Sequence, residues 1–293
     1  IVPSNPINAF AEGNMLQIIF FVIIFAIAML MTGEIGRQLA ATAEKLNEVM
    51  MNVVTLVMDF APIGVFFLMA KTFSIQGIGL VLPMIGYFSV VVLCLLLHGF
   101  GTFSLLLTLF AKLNPWLFIK KMRPAHIFAF STASSNATIP VTLQVVEKRL
   151  GVDNSTAAFT VPLGATINMD GTAIMQGVAT VFIANVYGID LGVADYLTVV
   201  GMSILASIGT AGVPGVGLIM LAMVFNQVGL PVEGIGLILG VDRILDMIRT
   251  AVNITGDATV SCIVARSENN IDDTIFQNPD AGVITEVELP HKG

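Results

Sequence analysis

TINMDGTA, Thr166–Ala173, is the stretch whose reading decides the fold. The residues around it, Ala157 to Ala184, are those of a membrane-spanning helix. Its middle nonetheless holds an Asn, an Asp, two Thr and a Gly. Polar groups and irregular backbone at membrane depth are tolerated where protein buries them or a watery cavity meets them. The octet therefore marks a site inside a membrane protein.

Composition agrees. The chain has 293 residues, 56% hydrophobic and 11% charged, with a mean hydropathy of +0.90. Soluble domains are about one quarter charged, so the expected class is all-α and polytopic. A sizeable share of the acid behind the net charge of −7 lies in the last thirty residues, and no basic surface suggests nucleic acid. Cys94 and Cys262 lie in apolar runs and read as small core residues. The opening "IVPSNP" has neither Met nor a leader, so it is expected to lie inside a longer, N-terminally truncated protein.

Moving outward, Met15–Met31 is an uncharged run near the minimum for a span. Val53–Ala70 is a second, interrupted by Asp59 and Pro62. Thr72–Ala111 lacks charge altogether and is expected to form an interfacial piece and one long, tilted helix. Two further stretches break the helical pattern. His126–Val146 carries "STASSNATIP", and Leu197–Leu230 carries "ASIGTAGVPGVG". Lys112, Lys120, Lys121 and Arg123 precede the first; Lys148 and Arg149 follow it. By the positive-inside rule both flanks are cytoplasmic, so this segment is a re-entrant hairpin with its tip at Ser134–Pro140. The flanks of the second, "YGIDLGVADY" and "NQVGLPVEG", have no Lys or Arg and are expected outside. Two oppositely oriented re-entrant hairpins, each followed by a helix, form the inverted repeat of a secondary transporter.

The final helix carries Asp242, Asp246, Arg249, Asn253 and Asp257 at spacings of three and four, which places them on one face. Four aspartates, counting Asp170, face Arg243 and Arg249. Two buried negative charges remain, and they must be protonated or meet cations. Hard cations take carboxylate, amide and carbonyl oxygens, which the octet offers, with Gly171 expected to permit unwinding. Internal salt bridges are the competing explanation, favoured for Asp242 with Arg243. An intramembrane aspartyl protease is excluded: "ITGD" lacks the first Gly of G-x-G-D, and none of Tyr87, Tyr187 or Tyr196 precedes an Asp. The serine signature G-x-S-G is absent as well. A channel is separated from a carrier only by whether substrate is concentrated.

The segments "SSNATIP", "LGATINMDGTA", "ASIGTAGVPGVGLIMLAMV" and "DRILDMIRTAVNITGDA" closely resemble the dicarboxylate/amino acid:cation symporters, the glutamate transporter family, in order and spacing up to about Ser267. That resemblance implies spanning helices plus two hairpins, and a homotrimer in the cytoplasmic membrane, multi-pass in the lipid bilayer. It implies remaining scaffold-side and linking helices over 1–111 and a transport-domain core over 112–267. Within that core lie hairpin 1 at about 120–147, a broken helix over 157–185, hairpin 2 at about 198–230 and a final helix over 232–265. A polar cytoplasmic tail occupies 268–293. The implied substrate is L-glutamate or L-aspartate, co-transported with sodium ions; a proton-coupled or C4-dicarboxylate symporter of the same family is the alternative.

The resemblance also assigns residues. Arg249 clamps the substrate side-chain carboxylate and Asp246 holds its ammonium beside Thr250. Asn253 and the hairpin tip at Ser134 and Ser135 take the main-chain carboxylate, and Thr172, Val213 and Gly217 line the pocket. One sodium lies among Asp257, Asn168 and the carbonyls of Gly164 and Asn253. A second lies under hairpin 2, using carbonyls of Thr166, Ser207, Ile208 and Thr210 and the sulfur of Met169. Asp170 serves a third. Ala133 and Met247 stand where many members have a second arginine. Gln176 stands where proton-coupled animal members have a titratable Glu. Residue chemistry agrees with the polarity: an acidic amino acid needs both signs of charge, and Asp246 would repel a plain dicarboxylate.

Overall fold

The computed structural model of the chain describes residues 2–12, 15–58, 81–208, 210 and 212–282, with scattered positions from 60 to 79. Asp59, Pro62, most of the stretch before Val81, and the tail beyond 282 lie outside the described residues. All described elements are helical, apart from a single bridge between Val152 and Ile271.

Two compact units divide the chain, 1–78 and 79–293. The first holds α1 (Pro6–Glu12), α2 (Met15–Met31) and α3 (Glu34–Met58). The uncharged run at Met15–Met31 is thus one helix. Val53–Met58, the start of the second apolar run, is the last stretch of α3, whose first half carries charge; much of the rest of that run lies outside the described residues.

The second unit begins with the charge-free run. Among the described residues, α4 (Val81–Ala111) is the helix long and apolar enough by itself to cross a bilayer. Thirty-one residues at about 1.5 Å each give roughly 46 Å, longer than the hydrocarbon core, as expected for a tilted helix. Two π-helical segments, Leu97–Thr102 and Leu107–Ala111, interrupt it, and Lys112 in the left-handed region ends it. This helix falls in the same compact unit as the residues from 112 onward.

Then come α5 (Pro115–Thr132) and α6 (Ser135–Lys148), which fold back on each other. Lys121, near the start of α5, donates to the carbonyl of Arg149, just past the end of α6, at 2.6 Å. The turn between them is Ala133, at φ 51, and extended Ser134, whose hydroxyl caps α6 by accepting from Ala137 N. The tip is therefore tighter than the Ser134–Pro140 expected; Pro140 lies inside α6. The broken helix is α7 (Asn154–Ile167) and α8 (Asp170–Val186), interrupted at Asn168 and Met169. The second pair is α9 (Val193–Ile208) and α10 (Val216–Gln227), packed side by side. A short 3-10 turn, Val232–Gly234, leads into α11 (Ile235–Ser267); α12 (Asp273–Gln277) follows.

The core gathers on α11. Ile254, Ala258, Cys262 and Ala265 pack against Phe118, Met122, Ala125 and Ala129 of α5 and Ala157 and Val161 of α7. Small side chains at these crossings let the backbones approach closely. Cys94 and Cys262 are free thiols.

Candidate functional site

Helix α11 presents its polar face inward. Asp242, Asp246, Arg249, Asn253 and Asp257 are all buried, between 1% and 6% exposed. Arg249 Nη2 lies 2.7 Å from Asp246 Oδ1, and Nη1 lies 3.5 Å from Asp242 Oδ1. Arg243 is exposed and forms no ion pair among the described residues. The pairing of Asp242 with Arg243 is therefore overturned: one residue along a helix is a turn of about 100°, which carries Arg243 off the buried face. One guanidinium consequently serves two carboxylates.

The two hairpins meet at their tips. Ser134 Oγ donates to Gly212 O at 2.7 Å, and Asn136 N donates to the same oxygen at 3.0 Å. Neither helix of one pair packs along a helix of the other, so the pairs approach each other tip to tip. Gly215 at the second tip is left-handed (φ 80) and donates its N–H to Asp246 Oδ2 at 3.0 Å.

Between tips, α8 and α11 lies a small cavity. Ser135, Thr172, Val213, Gly217, Asp246, Arg249, Thr250 and Asn253 line it, together with Ala133, Met169, Thr210 and Gly212. Eight of the nine residues assigned to substrate thus share one cavity. Ser134 is turned instead toward Gly212. Gly217 is needed here: a Cβ would lie 3.1 Å from Arg249 Nη2 and 3.3 Å from Thr172 Cγ2. A larger cleft of about 470 Å³, lined by Val90, Val178, Val181, Phe182 and Val200 among others, is apolar and holds no Asp, Glu, Lys or Arg.

The break in TINMDGTA falls at Asn168 and Met169, so Gly171 is not where the helix unwinds. Gly171 instead lets α8 approach α11: its N–H donates to Asn253 Oδ1 at 2.8 Å, and a Cβ would sit 3.0 Å from Arg249 O. Asn168 Nδ2 reaches Asp257 Oδ1 at 2.8 Å and Asn253 O at 3.4 Å. A Cβ on Gly164 would fall 2.5 Å from Asp257 Oδ1. Asp257, Asn168, Gly164 and Asn253 therefore converge. An amide turned through 180° would present its oxygen to a cation there.

Of the second cation group, Met169 and Thr210 line the cavity, and Met169 Sδ accepts from Asn253 Nδ2 at 3.2 Å. Thr166, Ser207 and Ile208 are not joined to one another by any hydrogen bond among the described residues; the Thr166 and Ser207 hydroxyls bond to carbonyls of their own helices. Asp170 lies apart, its Oδ2 2.7 Å from His98 Nε2. His98, which carried no role in the sequence, sits in the first π segment of α4. An ionisable side chain inside an apolar run was the available signal. No group of three or more His, Cys, Asp or Glu placed to hold a metal ion occurs among the described residues. The donors are carbonyls, amides and single carboxylates, the set that hard cations take.

Residues 1–267 match the sodium:dicarboxylate symporter family. The chain is 36% identical over 271 residues to the proton/sodium-glutamate symport protein of Bacillus subtilis, covering 92% of this chain and 62% of that protein. It is 35% identical over 273 residues to the proton/glutamate-aspartate symporter of Escherichia coli, covering 93% and 62%. It is 38% identical over 262 residues to excitatory amino acid transporter 1 of Rattus norvegicus, covering 88% and 48%. The chain thus spans about half to three fifths of the length of these relatives.

Proposed function

The chain belongs to the sodium:dicarboxylate symporter family, and on that premise we propose that it forms the substrate-carrying part of a secondary symporter for L-glutamate or L-aspartate, driven by sodium. The observation that carries this reading is the pairing of opposite charges at one cavity. Arg249 offers a planar fork for a carboxylate, and Asp246 beside it offers a carboxylate for an ammonium. Thr250, Asn253 and Ser135 complete the wall as polar donors. A neutral amino acid brings no side-chain carboxylate for the Arg249 fork, and a C4-dicarboxylate would meet Asp246 as a like charge.

The cations act on the carboxylates that Arg249 does not serve. Sodium among Asp257, Asn168, Gly164 and Asn253, a second ion near Met169 and Thr210, and a third at Asp170 would neutralise buried negative charge before the loaded body moves through the bilayer. The second hairpin acts as the lid and the first as its seat, each re-entering the membrane from its own side. The working unit is a homotrimer in the cytoplasmic membrane. Proton drive in place of sodium is the second reading, favoured by the relatives named as proton symporters; Gln176 cannot supply it, since an amide does not titrate.

Uptake of labelled L-aspartate into proteoliposomes of the full-length protein tests this, with an inward sodium gradient and, separately, an inward proton gradient. Sodium-driven uptake that disappears in Arg249→Ala is expected. Uptake under a proton gradient alone would transfer the drive to the second reading. Absence of uptake under both gradients would overturn the substrate assignment.

A further inference from the structure

Resting on that substrate reading, we infer that Tyr87 is a positioning residue for acidic substrates: its hydroxyl takes over the Asp242 carboxylate when the substrate carboxylate claims the Arg249 guanidinium. One fork has several claimants. Arg249 already serves Asp246 and Asp242, and it holds them unequally. Asp246 lies at 2.7 Å and also accepts from Gly215 N, whereas Asp242 lies at 3.5 Å and accepts no other hydrogen bond among the described residues. The partner that a substrate carboxylate displaces is therefore Asp242. A buried carboxylate that loses its share of a cation needs another donor.

Helix packing places Tyr87 to supply it. Helices α4 and α11 lie side by side and run the same way: a Cβ on Gly99 would meet Val252 Cγ2 at 3.8 Å, and one on Gly256 would meet Phe103 Cζ at 3.0 Å. Tyr87, Val91 and Leu95 are buried at intervals of one turn, on the stripe that continues to Gly99 and Phe103. Stepping back about three turns from the Gly99 contact reaches Tyr87 on α4 and about position 240 on α11, within one turn of Asp242. The charges of both Asp242 and Arg249 act on the Tyr87 hydroxyl. Its ring stacks on Phe182 of α8, with centroids 5.0 Å apart, which fixes where the hydroxyl points. That hydroxyl is buried and has no hydrogen-bond partner among the described residues. An ionised carboxylate only accepts, so the phenol can donate to Asp242 while Asp242 keeps its charge. The competing acceptor is the side-chain oxygen of Gln176, which is also buried without a partner; a neutral amide is the weaker acceptor of the two. The hand-over also discriminates. A substrate without a side-chain carboxylate leaves Asp242 on Arg249 and makes no use of Tyr87.

The test uses the full-length, sodium-saturated protein carrying isotope-labelled tyrosine, with infrared difference spectra recorded on adding L-aspartate. The phenol C–O stretch reports whether the hydroxyl donates. A substrate-induced shift is expected in the wild type, absent in Tyr87→Phe and smaller in Asp242→Asn. Calorimetry on the same proteins adds a second readout. Loss of a hydrogen bond to a charged group should lower aspartate affinity in Tyr87→Phe roughly tenfold or more. The melting temperature of that variant without aspartate should hold or rise, since the hydroxyl it loses is buried and unpaired. Aspartate binding that leaves the tyrosine band unmoved overturns the inference and leaves the substrate reading intact. So does an unreduced shift in Asp242→Asn, which would give the hydroxyl to Gln176, or wild-type affinity in Tyr87→Phe. A fall in both affinity and melting temperature would make Tyr87 a packing residue and overturn it as well. Failure to bind either acidic amino acid overturns the substrate reading, and the hand-over with it.

Discussion

The Ser134 hydroxyl donates to the Gly212 carbonyl at 2.7 Å, and this bond, with that from Asn136 N, joins the two hairpin tips over the cavity. Both donors converge on one oxygen, so the lid is latched by few groups. Ser134→Ala removes one buried hydrogen bond, worth about 1 kcal/mol. Substrate affinity should fall roughly fivefold, the equivalent of that energy. Gly212→Ala should cost more, because its Cβ would lie 2.6 Å from Asn136 Oδ1 and 3.0 Å from Asn136 N. Binding calorimetry ranks the two, and a spin-label distance between the tips shows whether the gap has widened. Equal affinities in all three proteins would mean that the tips do not latch the substrate in.

Gly164 lies against Asp257 closely enough that a methyl group cannot fit: its Cβ would come 2.5 Å from Oδ1 and 2.7 Å from Cγ. Gly164→Ala must push that carboxylate away from Asn168 and the Asn253 carbonyl. If these groups hold sodium, the sodium concentration needed for half-maximal substrate binding should rise at least tenfold while binding at saturating sodium survives. An unchanged sodium requirement would remove Asp257 from the cation site.

The element order and the polar face of α11 were legible because burial in a membrane is costly enough to write itself into composition. Five polar residues at helical spacing inside an apolar run have no solvent-facing explanation. The tip of the first hairpin was less legible. Pro140 reads as a breaker in sequence, yet it lies in the second turn of α6, where it forgoes one backbone N–H bond without ending the helix; the turn is made by Ala133, a residue with no turn signature. Gly171 misled similarly, since a glycine beside a polar motif serves close packing as well as unwinding. The contact of His98 with Asp170, 72 residues away, depends on how α4 packs on α8, which no local pattern carries.

Arg249 is the sole guanidinium in the buried cluster, so its geometry as well as its charge can be tested. Arg249→Ala leaves Asp242 and Asp246 buried without a cation, a loss of about 3–5 kcal/mol for a broken buried pair. It should unsettle the fold locally as well as abolish acidic substrate binding. Arg249→Lys is the sharper experiment. It keeps the charge but cannot span two carboxylates and a substrate with one fork. Thermal stability should fall less than in Arg249→Ala, because one carboxylate keeps its cation, with acidic amino acid affinity down by roughly 100-fold or more. Wild-type affinity in the lysine variant would mean that charge alone, without bidentate geometry, selects the substrate.

The segment after α11 is pinned to the base of the first hairpin by two kinds of contact that respond differently to acid. Lys121 donates to the carbonyls of Arg149 and Ile275 and lies over the Phe276 ring. Arg266 makes two bonds to the Asp273 carboxylate, at 2.9 and 2.6 Å. Those bonds, chiefly the hydrogen bond from Arg266, hold Asp273 below the ordinary aspartate value. A carboxyl depressed in the folded state stabilises above its unfolded value, and that contribution is lost as pH falls through the folded one. The pair is half exposed, so it holds the segment locally and adds little to global stability. Hydrogen exchange over residues 268–282 should therefore be slow and constant from neutral pH down to about pH 5, after correction for intrinsic rates. It should accelerate below the usual carboxylate range. In Asp273→Asn the faster exchange should already be present at neutral pH, with no further acid step. An acid step that persists in that variant would assign the pH response to another carboxylate of the segment, with Asp272 at the α12 cap next in line.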